Sequence, residues 1–180
     1  MDAANTQLIY AAAAVLCAGV ACVFDLRDRR IPNRLTGPAL LAGLGAHWAI
    51  SGRQDMAEAA VAAVLGGLVF LVFYLAGGMG AGDVKLVAAT ASLVGMSSLP
   101  ALLISTAIAG ALFAIAISAC RGVLRQTIAN TWAVLAHHKT NGLLEHPELN
   151  LANPSAMRLP YALPIAAGCF ATLLKAVAHR

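Results

Sequence analysis

Residues 77–86 read GGMGAGDVKL, with glycine at 77, 78, 80 and 82, then Asp83 and Lys85. They break off an apolar run, about Ala59 to Ala76, that is nearly long enough to cross a membrane. A charge at that depth is costly, so acids inside a membrane mark function by default, whereas acids at its boundary need not. The local account is simple, since aspartate is a favoured helix N-cap and glycine before a helix start is ordinary. What Asp83 does therefore depends on whether the fold brings it a partner.

Composition sets the frame for that question. The 180 residues are 60% hydrophobic and only 11% charged, with a mean hydropathy of +0.78. A soluble domain carries roughly a quarter charged residues, so this chain could not cover a compact globule with polar surface. It reads as an all-α polytopic membrane protein, one membrane-embedded domain over residues 1–180. The net charge of +4 does not point to nucleic acid. The bases cluster beside apolar segments, as topology signals do. The four cysteines, Cys17, Cys22, Cys120 and Cys169, form no C-x-x-C pair. They read as packing residues, with no zinc site, disulfide framework or cofactor implied.

Six spans are expected, at about Thr6–Phe24, Thr36–Ile50, Ala59–Ala76, Val84–Met96, Leu99–Cys120 and Leu159–Val177. The opening MDAANTQ lacks a base, so the first run reads as a retained span rather than a secretory signal. The polar stretch SGRQDMAE reads as a turn between the second and third spans. Residues 121–157 form the long polar segment. Within it Leu124, Ile128, Trp132 and Leu135 fall on one helical stripe opposite Arg121, Arg125 and Gln126, which leaves an interfacial helix or a solvated loop open. If Asp25–Arg34 is cytoplasmic, so are the glycine stretch and the polar segment. That side then holds Arg27, Arg29, Arg30, Arg34, Lys85, Arg121, Arg125, Lys139 and Arg158, against Arg53, Lys175 and Arg180 on the other. The positive-inside rule thus places both termini outside.

This topology gives Asp83 a partner. Asp25 ends the first span and Asp83 opens the fourth on the same face. Asp28 competes with Asp25, because positions i and i+3 share a helix face. Asp2, Asp55 and Glu58 belong to the opposite face, and Glu145 and Glu148 to the polar segment. Two carboxylates that share a site do not both ionise easily, so one acts as base while the other stays protonated as acid. Such a pair activates water against a peptide carbonyl, and glycines let a substrate backbone approach. Helix ends suggest Asp83, at an N-terminus, as the resting carboxylate and Asp25, at a C-terminus, as its protonated partner. The rival class is a small transporter or ion- or proton-conducting protein using the same two acids, which would show altered flux and no proteolysis in Asn variants. A structural assembly subunit, its acids only capping helices, would make the same variants silent.

Gly80-Ala81-Gly82-Asp83 resembles the GxGD signature of intramembrane aspartic proteases, and the longer GMGAGDVKL resembles its type IV prepilin peptidase form. Asp25, followed at six-residue spacing by Ile31-Pro32-Asn33, resembles that family's first aspartate and its I-P-N/D segment. Arg158-Leu159-Pro160-Tyr161-Ala162-Leu163-Pro164-Ile165 is similar to the opening of the family's last span. The resemblance implies an aspartic endopeptidase that removes the leader of prepilins at the cytoplasmic face of the bacterial inner membrane. It implies Asp25 and Asp83 as the catalytic pair and gives Asp28 no such place. The implied partners are a prepilin precursor, through its leader and apolar helix, and membrane lipid. Larger family members carry paired C-x-x-C motifs in a cytosolic insertion and also N-methylate the trimmed pilin. Here the first span runs straight into Asp25 and no such cysteines occur, so methyltransferase activity is not expected and the short peptidase-only type of Flp/Tad pili is implied, although archaeal preflagellin peptidases are also short.

Around the acids, Gly80 and Gly82 are expected to shape the loop or make room for substrate, and Pro32 and Asn33 to set the turn into the second span. Lys85 is expected to orient substrate, pair with an acid or snorkel to the interface. His137, His138 and His146 have no metal-ligand spacing and read as solvated histidines.

Overall fold

The computed structural model describes residues 3–142 and 159–178. Arg158, Asp2, Glu145, His146, Glu148 and Arg180, together with residues 143–157 of the polar segment, lie outside the described residues. The described chain forms seven α-helices: α1 (Ala3–Asp28), α2 (Asn33–Ser51), α3 (Arg53–Leu75), α4 (Ala81–Val94), α5 (Leu99–Cys120), α6 (Leu124–Asn141) and α7 (Ala162–Ala178).

Each expected span falls on a helix, but three of them, Ala4–Asp28, Arg53–Leu75 and Leu99–Cys120, are long and apolar enough to cross a membrane by themselves. The difference is physical. Helices α2, α4 and α7 have 19, 14 and 17 residues and are sheltered by neighbours to different degrees. Helix α4 is the extreme case, with Leu86, Val87, Ala89, Thr90, Ala91 and Ser92 all buried around its circumference. It packs against α1, α2, α3 and α7, while α7 lies between α1 and α5. Helix α5, in contrast, turns Ile104, Ile108, Leu112 and Ile115 outward, the surface expected of a helix facing lipid.

Lipid tails are as apolar as a protein core, so helices in a membrane associate through close packing and polar contacts rather than by escaping water. The interfaces show both devices. A Cβ on Gly43 of α2 would lie 2.6 Å from Ser92 Oγ, and one on Gly66 of α3 would lie 3.1 Å from the Ala91 Cβ, both on α4. A Cβ on Gly168 of α7 would overlap the Thr106 hydroxyl of α5. The Ser92 hydroxyl donates to the Leu40 carbonyl across the α2–α4 contact at 3.3 Å.

The glycine stretch resolves into separate local roles. Helix α3 ends in a Schellman motif: the Gly78 N–H donates to the Phe73 carbonyl and the Gly77 N–H to that of Tyr74, each at 3.0 Å. Gly77 has φ 74°, a left-handed conformation that glycine adopts without a side-chain clash. The chain then enters α4 with Gly80 as N-cap. The expected turn at SGRQDMAE is mostly helix instead. Only Gly52, at φ 93°, separates α2 from α3, because one left-handed residue is enough to reverse the chain.

The far end of α2 carries a clamp. His47 is 3% exposed, and its ring stacks on Tyr10 of α1 with centroids 3.9 Å apart. Its Nδ1 lies 2.6 Å from Asp55 Oδ2 on α3 and its Nε2 lies 3.2 Å from the Leu93 carbonyl on α4. One imidazole thus ties four helices together at the end of the bundle opposite Asp25 and Asp83. Of the cysteines, Cys17, Cys22 and Cys169 are buried as packing residues, whereas Cys120 is exposed at the last turn of α5, and all are free thiols.

Candidate active site

The antiparallel succession of helices brings the last turn of α1, the start of α2, the start of α4 and the start of α7 to one end of the bundle. The orientation of α7 is set by its contact with α5. Gly110 of α5 faces Tyr161 and Pro164, whereas the earlier Leu102 and Thr106 face Gly168. Helix α7 therefore runs antiparallel to α5, with its start against Gly110 in the middle of that helix.

Asp83 is the third residue of α4, not its cap. Its N–H donates to the Gly80 carbonyl and its Oδ2 accepts the Gly80 N–H, both at 3.1 Å. This is the reciprocal bonding of a capping box with glycine in place of the usual serine or threonine. Asp25 lies inside the last turn of α1 rather than beyond its end, and its Oδ2 accepts the N–H of Ala162, the first residue of α7, at 3.3 Å. Both carboxylates thus meet backbone N–H groups at helix N-termini, where the dipole favours negative charge. The contrast between a C-terminal Asp25 and an N-terminal Asp83, expected from the chain order, loses its basis, because α7 supplies Asp25 with an N-terminus of its own.

The two carboxylates are within coulombic reach of one another, and the charge of Asp83 also reaches the half-buried phenol of Tyr161. Arg29, which ends α1 at φ 51°, brings its positive charge to bear on Asp25. A non-glycine residue in that conformation is uncommon. Asp28 is exposed at the end of α1, and the hydrogen bond to α7 goes to Asp25.

The two acid-bearing segments are also latched to each other. A Cβ on Gly82 would lie 3.2 Å from the Ile31 Cβ, so the missing side chain of Gly82 lets the Ile31 loop pack on the first turn of α4. Gly80 likewise leaves room beside a carboxylate, since a Cβ there would lie 3.2 Å from Asp83 Oδ2. The space at Gly82 is thus filled by Ile31 and not open to a substrate backbone. Pro32 is the N-cap residue of α2, in an extended conformation. Asn33 follows, and its Oδ1 accepts a hydrogen bond from the Lys85 ammonium at 2.9 Å. Among the described residues Lys85 pairs with this amide and not with an acid. Below the latch a cavity of about 270 Å³ opens between α2 and α4, lined by Asn33, Thr36, Gly37, Leu40, Lys85 and Ala88. Its size approaches the ~300 Å³ at which ligand pockets begin.

Among the described residues no group of three His, Cys, Asp or Glu side chains is placed to hold a metal ion. The contribution of Ala162 and Tyr161 could not be read from the sequence. Pro160 signals a helix start nearby, yet nothing local says that the first N–H of that helix meets an acid 137 residues earlier.

Comparison with known proteins bears on the same region. A family model described as the type IV leader peptidase family matches residues 12–115, a stretch that includes both acids and the I-P-N and G-A-G-D segments. No curated protein and no solved structure matches the chain.

Proposed function

The chain belongs to the type IV leader peptidase family, a membrane-embedded protease by that membership, and from this premise we propose that it cleaves the leader peptide of Flp/Tad-type prepilins with Asp25 and Asp83 as its catalytic pair. One observation carries the assignment. Two acids from segments far apart in sequence are held at one end of the bundle, within coulombic reach, each by a backbone N–H at a helix N-terminus.

The chemistry follows from that pairing. One carboxylate takes a proton from water, the water oxygen attacks the scissile carbonyl, and the partner carboxyl gives its proton to the leaving amine. The proton passes back between the two acids as the cycle closes, so the pair titrates as a unit. The peptidase acts without methylating the trimmed pilin, consistent with the lack of any C-x-x-C pair. The precursor lays its apolar helix along the bundle, with the α2–α4 cavity as a seat for its side chains and the Lys85–Asn33 latch at the mouth. The six helices α1–α5 and α7 span the inner membrane with the acids towards the cytoplasm.

A single assay tests this. The candidate prepilin is co-expressed with the wild type, Asp25→Asn, Asp83→Asn, Asp28→Asn and Gly37→Leu, and loss of the leader is followed by mobility. Each of the first two substitutions is expected to slow processing by roughly 100-fold or more, and Asp28→Asn to leave it unchanged. Gly37→Leu fills the cavity and is expected to weaken processing with both acids intact. Cleavage that survives both Asp25→Asn and Asp83→Asn defeats the assignment.

A further inference from the structure

Helix α6 is the element that the peptidase mechanism leaves unused, and its surface is specific. Ile128, Trp132 and Leu135 are 52%, 70% and 56% exposed, and they fall with the half-buried Leu124 on one narrow stripe at helical spacing. Gln126, Asn130, His137, Thr140 and Asn141 take the opposite side. Arg125 lies at an edge of the apolar stripe and Lys139 continues the stripe one turn beyond Leu135, where their stems can follow it and their charges turn away. No Asp or Glu occurs between Arg121 and Gly142.

The start of α6 is held at the exit of a membrane helix. Helix α5 is one of the three helices apolar enough to span a bilayer, and it ends at Cys120 in a second Schellman turn. There the Gly122 N–H donates to the Ala119 carbonyl and the Val123 N–H to that of Ser118, each at 3.0 Å. Helix α6 begins two residues beyond Gly122, and its first turn is pinned back onto α5 by the Thr127 hydroxyl, 3.1 Å from the buried Ser118 hydroxyl. Among the described residues α6 packs on no helix but α5. The apolar stripe therefore starts at bilayer level and continues along a helix with nothing described over it.

We propose that α6 is an in-plane helix seated in the lipid surface of the membrane face that carries Asp25 and Asp83. Ile128, Trp132 and Leu135 enter the boundary between headgroups and acyl chains, and Arg121, Arg125 and Lys139 meet lipid phosphates. Three features select lipid over other occupants. The stripe is continuous with a helix that leaves the bilayer, the bases have no acid beside them on the helix, and a tryptophan stands at the centre, where an amphipathic ring suits the interface. The two bases together with an amide-rich opposite side rule out a further span. Seated this way, α6 fixes the height of the α5 exit in the bilayer, and α5 in turn packs along α7, whose first N–H holds Asp25.

The chain has two tryptophans, Trp48 and Trp132, so Trp48→Phe leaves Trp132 as the reporter. The full-length variant is reconstituted in vesicles of phosphatidylcholine and phosphatidylglycerol whose acyl chains carry bromine either near the headgroup or near the bilayer centre. Bromine near the headgroup is expected to quench Trp132 about twofold, and more than bromine at the centre, as for a ring ~5–10 Å below the headgroups. Adding Ile128→Asp and Leu135→Asp is expected to abolish that quenching and open Trp132 to aqueous iodide. Trp132 that iodide quenches while brominated lipid does not overturns the proposal. So does a Trp132 shielded from both, which means that protein covers the stripe, either a second copy or another segment of this chain. The readout is spectroscopic, so it stands apart from whether the acids cleave peptide.

Discussion

Asp83 and the backbone of Gly80 hold each other through two hydrogen bonds of 3.1 Å, one from the Asp83 N–H and one to its carboxylate, and the missing side chain of Gly80 leaves room beside that carboxylate. Gly80 has φ −84°, a conformation open to any residue, so its importance is spatial rather than conformational. Alanine there would place a Cβ 3.2 Å from Asp83 Oδ2, and the carboxylate, being the end of a side chain, is the group that gives. Gly80→Ala is therefore expected to change thermal stability by no more than ~0.5 kcal/mol while slowing processing roughly tenfold or more by displacing a reacting group. Melting in detergent and a timed cleavage assay on the same preparation check this, and an unchanged rate would show that the carboxylate position is not critical. At this scale the sequence was informative about identity and poor about partners. Asp25 and Asp83 stood out because acids are rare beside apolar segments. Ala162 carried no signal, since its part is played by a backbone N–H that every residue but proline possesses.

Helix α4 shows what an element needs when neighbours enclose it. With 14 residues it is too short to span a bilayer alone, and its buried circumference makes crossing unnecessary by its own length. Small residues set how closely its neighbours approach. In α2, Gly43 and Gly45 are two residues apart and should respond with opposite signs. A Cβ on Gly43 would lie 2.9 Å from the Ser92 carbonyl carbon and oxygen, backbone atoms that move only if a helix moves. Gly43→Ala is expected to cost about 1–3 kcal/mol. A Cβ on Gly45 meets nothing within 4 Å, so Gly45→Ala is expected to stabilise by about 0.5–1 kcal/mol through helix propensity. Paired unfolding curves decide it, and equal shifts would mean that the α2–α4 contact is looser than described. The His47 clamp reinforces the same interface from the far end. Nothing in the sequence around His47 names its three partners, which come from α1, α3 and α4.

For the molecule as a whole, chain direction alternates through α1–α5 and α7, which gathers Asp25, Asp83 and Tyr161 at one end, the end towards which α5 runs, and the His47 clamp at the other. That arrangement makes orientation measurable through a natural residue. Cys120 is exposed at the acid-bearing end, while Cys17, Cys22 and Cys169 are buried. A membrane-impermeant maleimide is expected to label the protein in inverted inner-membrane vesicles and not in intact spheroplasts, with Cys120→Ser removing the label. Labelling of spheroplasts alone would reverse the topology. The sequence by itself determined the membrane setting, the all-helical class, the position of each apolar helix to within several residues, and two acids beside glycine-rich and I-P-N segments. These are properties of composition, periodicity and local spacing, which need no knowledge of distant neighbours. Only the tertiary structure decided that α4 is the enclosed helix, that Ile31 packs on Gly82 and Asn33 holds Lys85, and that α7 offers its first N–H to Asp25. Each depends on two segments meeting after the chain has turned several times, and the closeness of that meeting is set by which Cβ atoms are missing.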